Sequence, residues 1–347
     1  MGAVAAKLEK RQFQQGDVIM EVRNLTKYFP VRLSFIQSLR TDNLPVLKAV
    51  DDVSFDVYKG EVLGIVGESG CGKTTLARTV LRLTDATSGS VNLEDIDIMR
   101  LNPLEMKNLR RKMQVIFQDP YESMNPRMNV QTIIAEPLRI QGIAKTVHEA
   151  RDVVASVLAD VEMIPPEEYM ARYPHELSGG QRQRVAVARA LALDPDFIVA
   201  DEPVSMLDVS IRGEVLNLML NLSREKGVTF VYITHDLATA RHICDRIAVM
   251  YLGKIVEMGT AEEIIRNPLH PYTTALIGAV FVPDPTHRGI PEVLKGEIPS
   301  PVNPPAGCHL HPRCPYTMDI CREAEPDFLL YEGTHQAACH RAEKARG

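Results

Sequence analysis

The apolar positions of this chain follow two rhythms. Val62-Leu-Gly-Ile-Val66, Phe197-Ile-Val-Ala200 and Val228-Thr-Phe-Val-Tyr-Ile-Thr234 are short, almost wholly apolar runs. That is the pattern of strands covered on both faces, as in a parallel sheet. Leu76, Ala77, Val80 and Leu81 follow the first run at helical spacing, and Val153, Val157, Leu158 and Val161 do the same after His148-Glu-Ala-Arg-Asp152. The segment between Gln118 and Leu177 therefore reads as rich in helix. No apolar run approaches the roughly 18 residues that cross a bilayer, so no membrane span is predicted.

Polar punctuation between these runs carries the chemistry. Between the first strand and its helix lies Gly67-Glu68-Ser69-Gly70-Cys71-Gly72-Lys73-Thr74-Thr75, which fits G-x-x-x-x-G-K-[ST]. Glycines let successive backbone N–H groups turn inward around phosphates, and the helix N-terminus adds positive dipole. Lys73 is expected to reach the β- and γ-phosphates of a nucleotide, and the Thr74 hydroxyl to coordinate magnesium. The strand at 197–200 runs into Asp201-Glu202-Pro203. Ligands of open α/β sheets sit beyond the carboxyl ends of strands, so Asp201 is placed to hold magnesium and Glu202 to polarise an attacking water. In Leu177-Ser178-Gly179-Gly180-Gln181, Ser178 is a natural N-cap and the glycines free the start of a helix that can receive a phosphate from outside.

In this order the motifs resemble those of the ATP-binding subunits of ABC transporters, from about Val18 to Glu263. The resemblance implies an α/β fold: a P-loop NTPase domain of the ABC nucleotide-binding type, with a RecA-like core, an antiparallel β subdomain and a helical subdomain at about 119–180. A tail at 1–17 precedes it and a small cysteine-containing extension at 264–347 follows. Phe29, with Tyr28 beside it, matches the aromatic that stacks on adenine. Gln118 matches the glutamine that touches magnesium and the transmembrane partner. Asp208, in Ser205-Met-Leu-Asp208, matches the loop that communicates across a dimer, and His235 the histidine that bonds the γ-phosphate. The family pattern makes Lys73, Gln118, Glu202 and His235 the catalytic set. It also implies a head-to-tail dimer in which Ser178, Gly179, Gly180, Gln181 and Asp208 of one subunit meet the ATP held by the loop of the other. The helical subdomain would accept a coupling helix from a permease.

Composition narrows the class further. The chain has 347 residues, a formal net charge of -6 and a pI of about 6.0, so it lacks the electrostatic footprint of a nucleic-acid binder. Its first residues have neither an apolar signal core nor a myristoylation pattern. A place at the cytoplasmic face of the cell membrane, held there by separate membrane subunits, follows from these features and the resemblance together. Val31 to Pro45 form an additional stretch with no assigned role.

Beyond Glu263 the character changes. Thr260 and Glu263 predict a capping box, and seven prolines between Pro283 and Pro305 predict extended backbone. Cys308, Cys314, Cys321 and Cys339 follow at gaps of five, six and seventeen residues. Clustered thiols in a cytosolic chain point to metal rather than disulfides, and spacing alone leaves iron–sulfur and zinc open. His270-Pro271-Tyr272 followed by Cys308-His-Leu-His-Pro-Arg-Cys314 resembles the C-terminal extension of oligopeptide and dipeptide importer ATPases. That resemblance implies a [4Fe–4S] ligand set, with zinc as the runner-up and with His309 and His311 as surface or neighbouring groups. The residues around Asp201 and Asp208, with Cys71, resemble the second of two ATPase subunits in such systems. The implied partners are a sister ATPase, two permease subunits and an extracytoplasmic solute-binding protein. Other cargo, oligosaccharide or nickel, and a non-transport ATPase carrying a redox or iron-sensing module are the alternatives.

Overall fold

The computed structural model describes residues 16–31, 45–279 and 294–346. Most of the N-terminal tail, most of the additional stretch before Val46, and Pro283, Pro285 and Pro291 lie outside the described residues.

Two sheets form the scaffold. Strands β1 (Val18–Pro30), β2 (Val46–Tyr58), β4 (Ser88–Leu93) and β5 (Ile96–Asp97) make an antiparallel sheet in the order β2-β1-β4-β5. The larger sheet joins β3 (Val62–Val66), β6 (Met113–Ile116), β7 (Phe197–Asp201), β8 (Thr229–Thr234) and β9 (Arg246–Tyr251) in parallel, then continues antiparallel through β10 (Lys254–Thr260), β12 (His335–Ala337) and β11 (Leu329–Glu332).

Strands β3, β7, β8 and β9 are buried at every residue, which is why their sequences show no polar alternation. The pleat still sorts their side chains. Leu63, Ile65, Phe197, Val199, Val231 and Ile233 enter the core shared with the antiparallel sheet. Val62, Val66, Ile198, Ala200, Phe230 and Tyr232 enter the core covered by helices. In chain order the helices are α1 (Lys73–Val80), α2 (Pro103–Leu109), α3 (Val130–Ile140), α4 (Arg151–Asp160), α5 (Pro166–Met170), α6 (Gly179–Leu191), α7 (Val209–Lys226), α8 (Leu237–Ile243), α9 (Ala261–Arg266), α10 (Pro271–Ala279), α11 (Ile320–Glu323) and α12 (His340–Arg346).

The apolar stripe of α4 keeps Val157, Leu158 and Val161 of the sequence expectation and takes Val154 in place of Val153. Val154, Val157 and Leu158 are buried, as are Ala150 and Val161 on either side, whereas Val153 is 37% exposed. Ala150 sets this phase, because 150, 154, 157, 158 and 161 share one face at 3.6 residues per turn.

The chain after Glu263 is built into the large sheet through β11 and β12. Its anchor is Glu257 on β10, which is fully buried. That carboxylate accepts the backbone N–H groups of Leu269 (2.7 Å) and His270 (3.0 Å) and pairs with His335 Nε2 of β12 at 2.7 Å. The Thr260–Glu263 capping box forms, and the Thr334 hydroxyl adds a bond to Glu263 at 3.0 Å. Glu257→Ala would leave two backbone donors and an imidazole without their acceptor in a buried place, so we expect a loss of about 3 kcal/mol. Chemical denaturation together with limited proteolysis of the segment after residue 263 checks this; an unchanged midpoint and cleavage pattern would remove Glu257 as the anchor.

Candidate active site

Parallel register sets the strand ends side by side. Val66 of β3 lies opposite Thr234 of β8, and Asp201 of β7 opposite Ile233. From Val66 the chain turns through Gly67–Gly72 into α1. Two of these glycines are required by space: a Cβ on Gly67 would overlap the Met250 carbonyl oxygen, and one on Gly72, at φ 111°, would overlap that of Ala49. Lys73 is buried, and its ammonium donates to the carbonyls of Gly67 (2.7 Å) and Glu68 (3.0 Å). The loop forms one side of a cavity of about 600 Å³, lined by residues 68–75 with Lys48, Gln118, Glu202 and His235. That volume lies within the range of small-molecule and cofactor sites.

Three strand ends deliver three polar groups to one point. Glu202 follows directly from β7 with φ 46°, and its N–H donates to the Ile233 carbonyl at 2.9 Å. Its carboxylate accepts from Gln118 Nε2 at 3.1 Å and lies 3.2 Å from His235 Nδ1. Beside it Asp201 is buried, and the Thr74 hydroxyl donates to it at 3.2 Å. Burial raises the Asp201 pKa, only partly offset by Thr74. A buried carboxylate, a hydroxyl and an amide oxygen beside an adjoining cleft lined by Thr74, Gln118 and Asp201 make an oxygen-rich donor set of the kind that suits magnesium. Together these groups can seat a phosphate chain and orient a water against it.

Other predicted residues lie elsewhere. Ser178 caps α6, accepting from the Gln181 N–H at 3.2 Å, while the Gln181 side chain returns a bond to the Ser178 N–H. Neither these residues nor Gly179, Gly180 and Asp208 line the loop cavity. The two predicted aromatics lie outside the lining of the loop cavity. The Tyr28 hydroxyl bonds Asp51, which Lys48 (3.2 Å) and Lys254 (3.6 Å) also hold, so Tyr28 is tied into the sheet. Phe29 is 38% exposed opposite Leu47, with the Lys27 ammonium 4.8 Å from its ring centroid. Neither ring lines the cavity, although Leu47 does.

The extension supplies groups that the sequence reading did not place here. Leu276 and Pro301 line the cavity. The Tyr272 hydroxyl accepts the Glu68 N–H at 2.8 Å, and Arg313 pairs with the Glu68 carboxylate. No local pattern signals these contacts, because they span more than 200 residues of sequence.

Cys308, Cys314, Cys321 and Cys339 line a single small cavity with His270 and Leu310, and none is in a disulfide. Burial pushes the Cys308 thiol up to about 12, with the other three thiols adding to the rise. Among the described residues no three His, Cys, Asp or Glu side chains form a ready metal-holding group, so the arrangement itself does not display the expected cluster site. The four sulfur donors border one cavity without forming such a group. His309 is buried rather than at the surface, and His311 Nδ1 lies 3.0 Å from the Cys308 carbonyl.

A glycine loop opening a helix from a parallel strand, acidic residues at the next strand end but one and a histidine at the strand between define a P-loop ATPase of the ATP-binding cassette type. Residues 50–205 match the ABC transporter family, and residues 256–321 match the oligopeptide/dipeptide transporter C-terminal region. The chain is 47% identical to the oligopeptide transport ATP-binding protein AppF of Bacillus subtilis, over 93% of its own length and 97% of that protein. It is also 47% identical to the probable peptide ABC transporter ATP-binding protein y4tS of Sinorhizobium fredii, over 93% of its length and 90% of that protein. Its structure is similar to the dimeric ATP-binding cassette MJ0796 bound to ADP and Pi, with a TM-score of 0.60 and 29% identity, covering 70% of this chain and 98% of that one. The chain belongs to the ATP-binding subunits of peptide and oligopeptide ABC transporters, and is an ATPase of that family. None of its described helices is long and apolar enough to cross a membrane.

Proposed function

We propose that this chain is the ATP-hydrolysing motor of an ABC importer for di- and oligopeptides, acting on partner permease subunits at the cytoplasmic face of the membrane. The observation that carries this reading is near-full-length similarity to peptide and oligopeptide transport proteins, coupled with a complete set of loop, carboxylate and histidine groups. Lys73 and the backbone N–H groups of residues 69–74 bind the phosphates. Thr74, Asp201 and Gln118 would hold magnesium, which would neutralise charge on the phosphoryl oxygens. Glu202, oriented by Gln118 and His235, takes the proton of the attacking water, and His235 bonds the transferring phosphoryl group. Phe29, with an exposed ring, faces adenine. Ser178, Gly179, Gly180, Gln181 and Asp208 lie off their own cavity, which fits their use against the nucleotide of the opposite subunit in a head-to-tail dimer.

The partners in this reading are a sister ATPase, with this chain as the second subunit type, two permeases and an extracytoplasmic solute-binding protein. The four thiols of the extension hold a [4Fe–4S] cluster, a reading supported by their convergence on one cavity.

Glu202→Gln should retain ATP binding and lose roughly 10²–10⁴-fold in turnover, the range for a general base. Lys73→Ala should instead lose nucleotide affinity. Turnover of Glu202→Gln within about threefold of the parent, or unchanged ATP binding by Lys73→Ala, would overturn the corresponding role. At the level of cargo, the ATPase rate of the membrane complex recovered through this chain should rise with peptide-loaded binding protein, and Glu202→Gln should abolish the rise. Stimulation only by oligosaccharide or nickel would keep the motor and displace the peptide assignment. Anaerobic purification should give brown protein with about four irons per chain; colourless protein with one zinc would replace the cluster by a zinc site.

A further inference from the structure

Glu68 is the second residue of the phosphate-binding loop, and its side chain turns away from the loop toward the C-terminal extension. There Arg313 Nη1 meets Glu68 Oε2 at 2.9 Å and Arg313 Nη2 meets Oε1 at 3.3 Å, a two-point pair. Arg313 is only 9% exposed and Glu68 29%, so the guanidinium is withdrawn from water and the carboxylate half-buried. The Arg313 backbone is fixed on both sides: its N–H donates to the Leu310 carbonyl at 2.9 Å, and its carbonyl accepts from Lys295 at 3.1 Å. The same loop residue is held a second time from the extension, by the Tyr272 hydroxyl that accepts the Glu68 N–H. At a third point the Pro301 carbonyl accepts the Lys48 N–H at 3.1 Å, beside the same cavity.

A carboxylate at this position poses an electrostatic problem. Glu68 lies near the start of the loop whose backbone donors face a polyanion, and an unpaired negative charge there opposes phosphate binding. We propose that Arg313 is a positioning residue for nucleotide binding: it neutralises Glu68 and fixes the entrance of the loop, so that the affinity of the site is set partly by the extension. This inference rests on the nucleotide reading of the loop.

Arg313→Met should raise the Kd of the full-length chain for MgATP about tenfold, the scale of coupling within a desolvated charge pair. In the assembled complex it should raise KM for ATP with kcat held within about threefold. Arg313→Lys, which keeps the charge but loses the two-point fork, should fall between the two. The decisive protein is the double variant Glu68→Gln with Arg313→Met, in which the uncompensated carboxylate is gone; its Kd should return to within about threefold of the parent. A merely structural loss at Arg313 would persist in the double variant, so a Kd as weak as that of Arg313→Met alone would overturn the proposal, as would an unchanged Kd in Arg313→Met. If Lys73→Ala binds MgATP normally, the nucleotide reading itself fails. If Lys73→Ala loses binding while Arg313→Met does not, the nucleotide site stands and the positioning role falls.

Discussion

Strands β3, β7, β8 and β9 of the large sheet are covered on both faces, and that constraint orders everything else in the molecule. A strand buried in this way carries few polar side chains along its length, so polar chemistry is displaced toward the strand ends. Parallel direction then gathers the ends of β3, β6, β7 and β8 on one edge, where Gly67, Gln118, Asp201, Glu202 and His235 emerge from different parts of the sequence. The Gln118–Glu202–His235 contact is a consequence of register rather than of any local preference of those residues. Likewise the tight seating of Gly67 and Gly72 against the carbonyls of Met250 and Ala49 follows from how closely β2 and the end of β9 pack on the loop.

This also explains what was legible in the sequence. Runs such as Phe197–Ala200 announce buried strands because burial on both faces removes alternation, and the loop between Gly67 and Thr74 is legible because its chemistry is contiguous. The caps at Ser178 and Thr260 depend on a side chain and a backbone three residues away, so they too can be read locally. Legibility ends where a long-range partner decides the outcome. Tyr28 and Phe29 are adjacent and aromatic, and only the position of Asp51 across the sheet distinguishes a tied ring from an exposed one. Val153 satisfies helical spacing as well as its neighbour does, but the burial of Ala150 selects Val154. Strand β11 alternates between half-buried and exposed positions, which leaves little apolar signal to announce it.

The extension is the largest discrepancy between a linear reading and the folded chain. Read along the sequence, prolines and cysteines after Glu263 mark an appendage. In the fold, β12 pairs with β10 and β11 pairs with β12, so the extension covers an edge that would otherwise present unpaired backbone groups. The buried Glu257 carboxylate then joins β10, the turn at Leu269–His270 and β12 through one side chain. A residue that anchors His270 also fixes where α10 begins, and α10 carries both Tyr272 and Leu276. Sheet extension, the buried carboxylate and the wall of the nucleotide cavity are therefore successive parts of one packing solution. Displacing the extension from β10 would take Tyr272 away from the Glu68 N–H and Leu276 away from the cavity, so the integrity of the loop's surroundings depends on residues that follow the last motif of the nucleotide-binding domain.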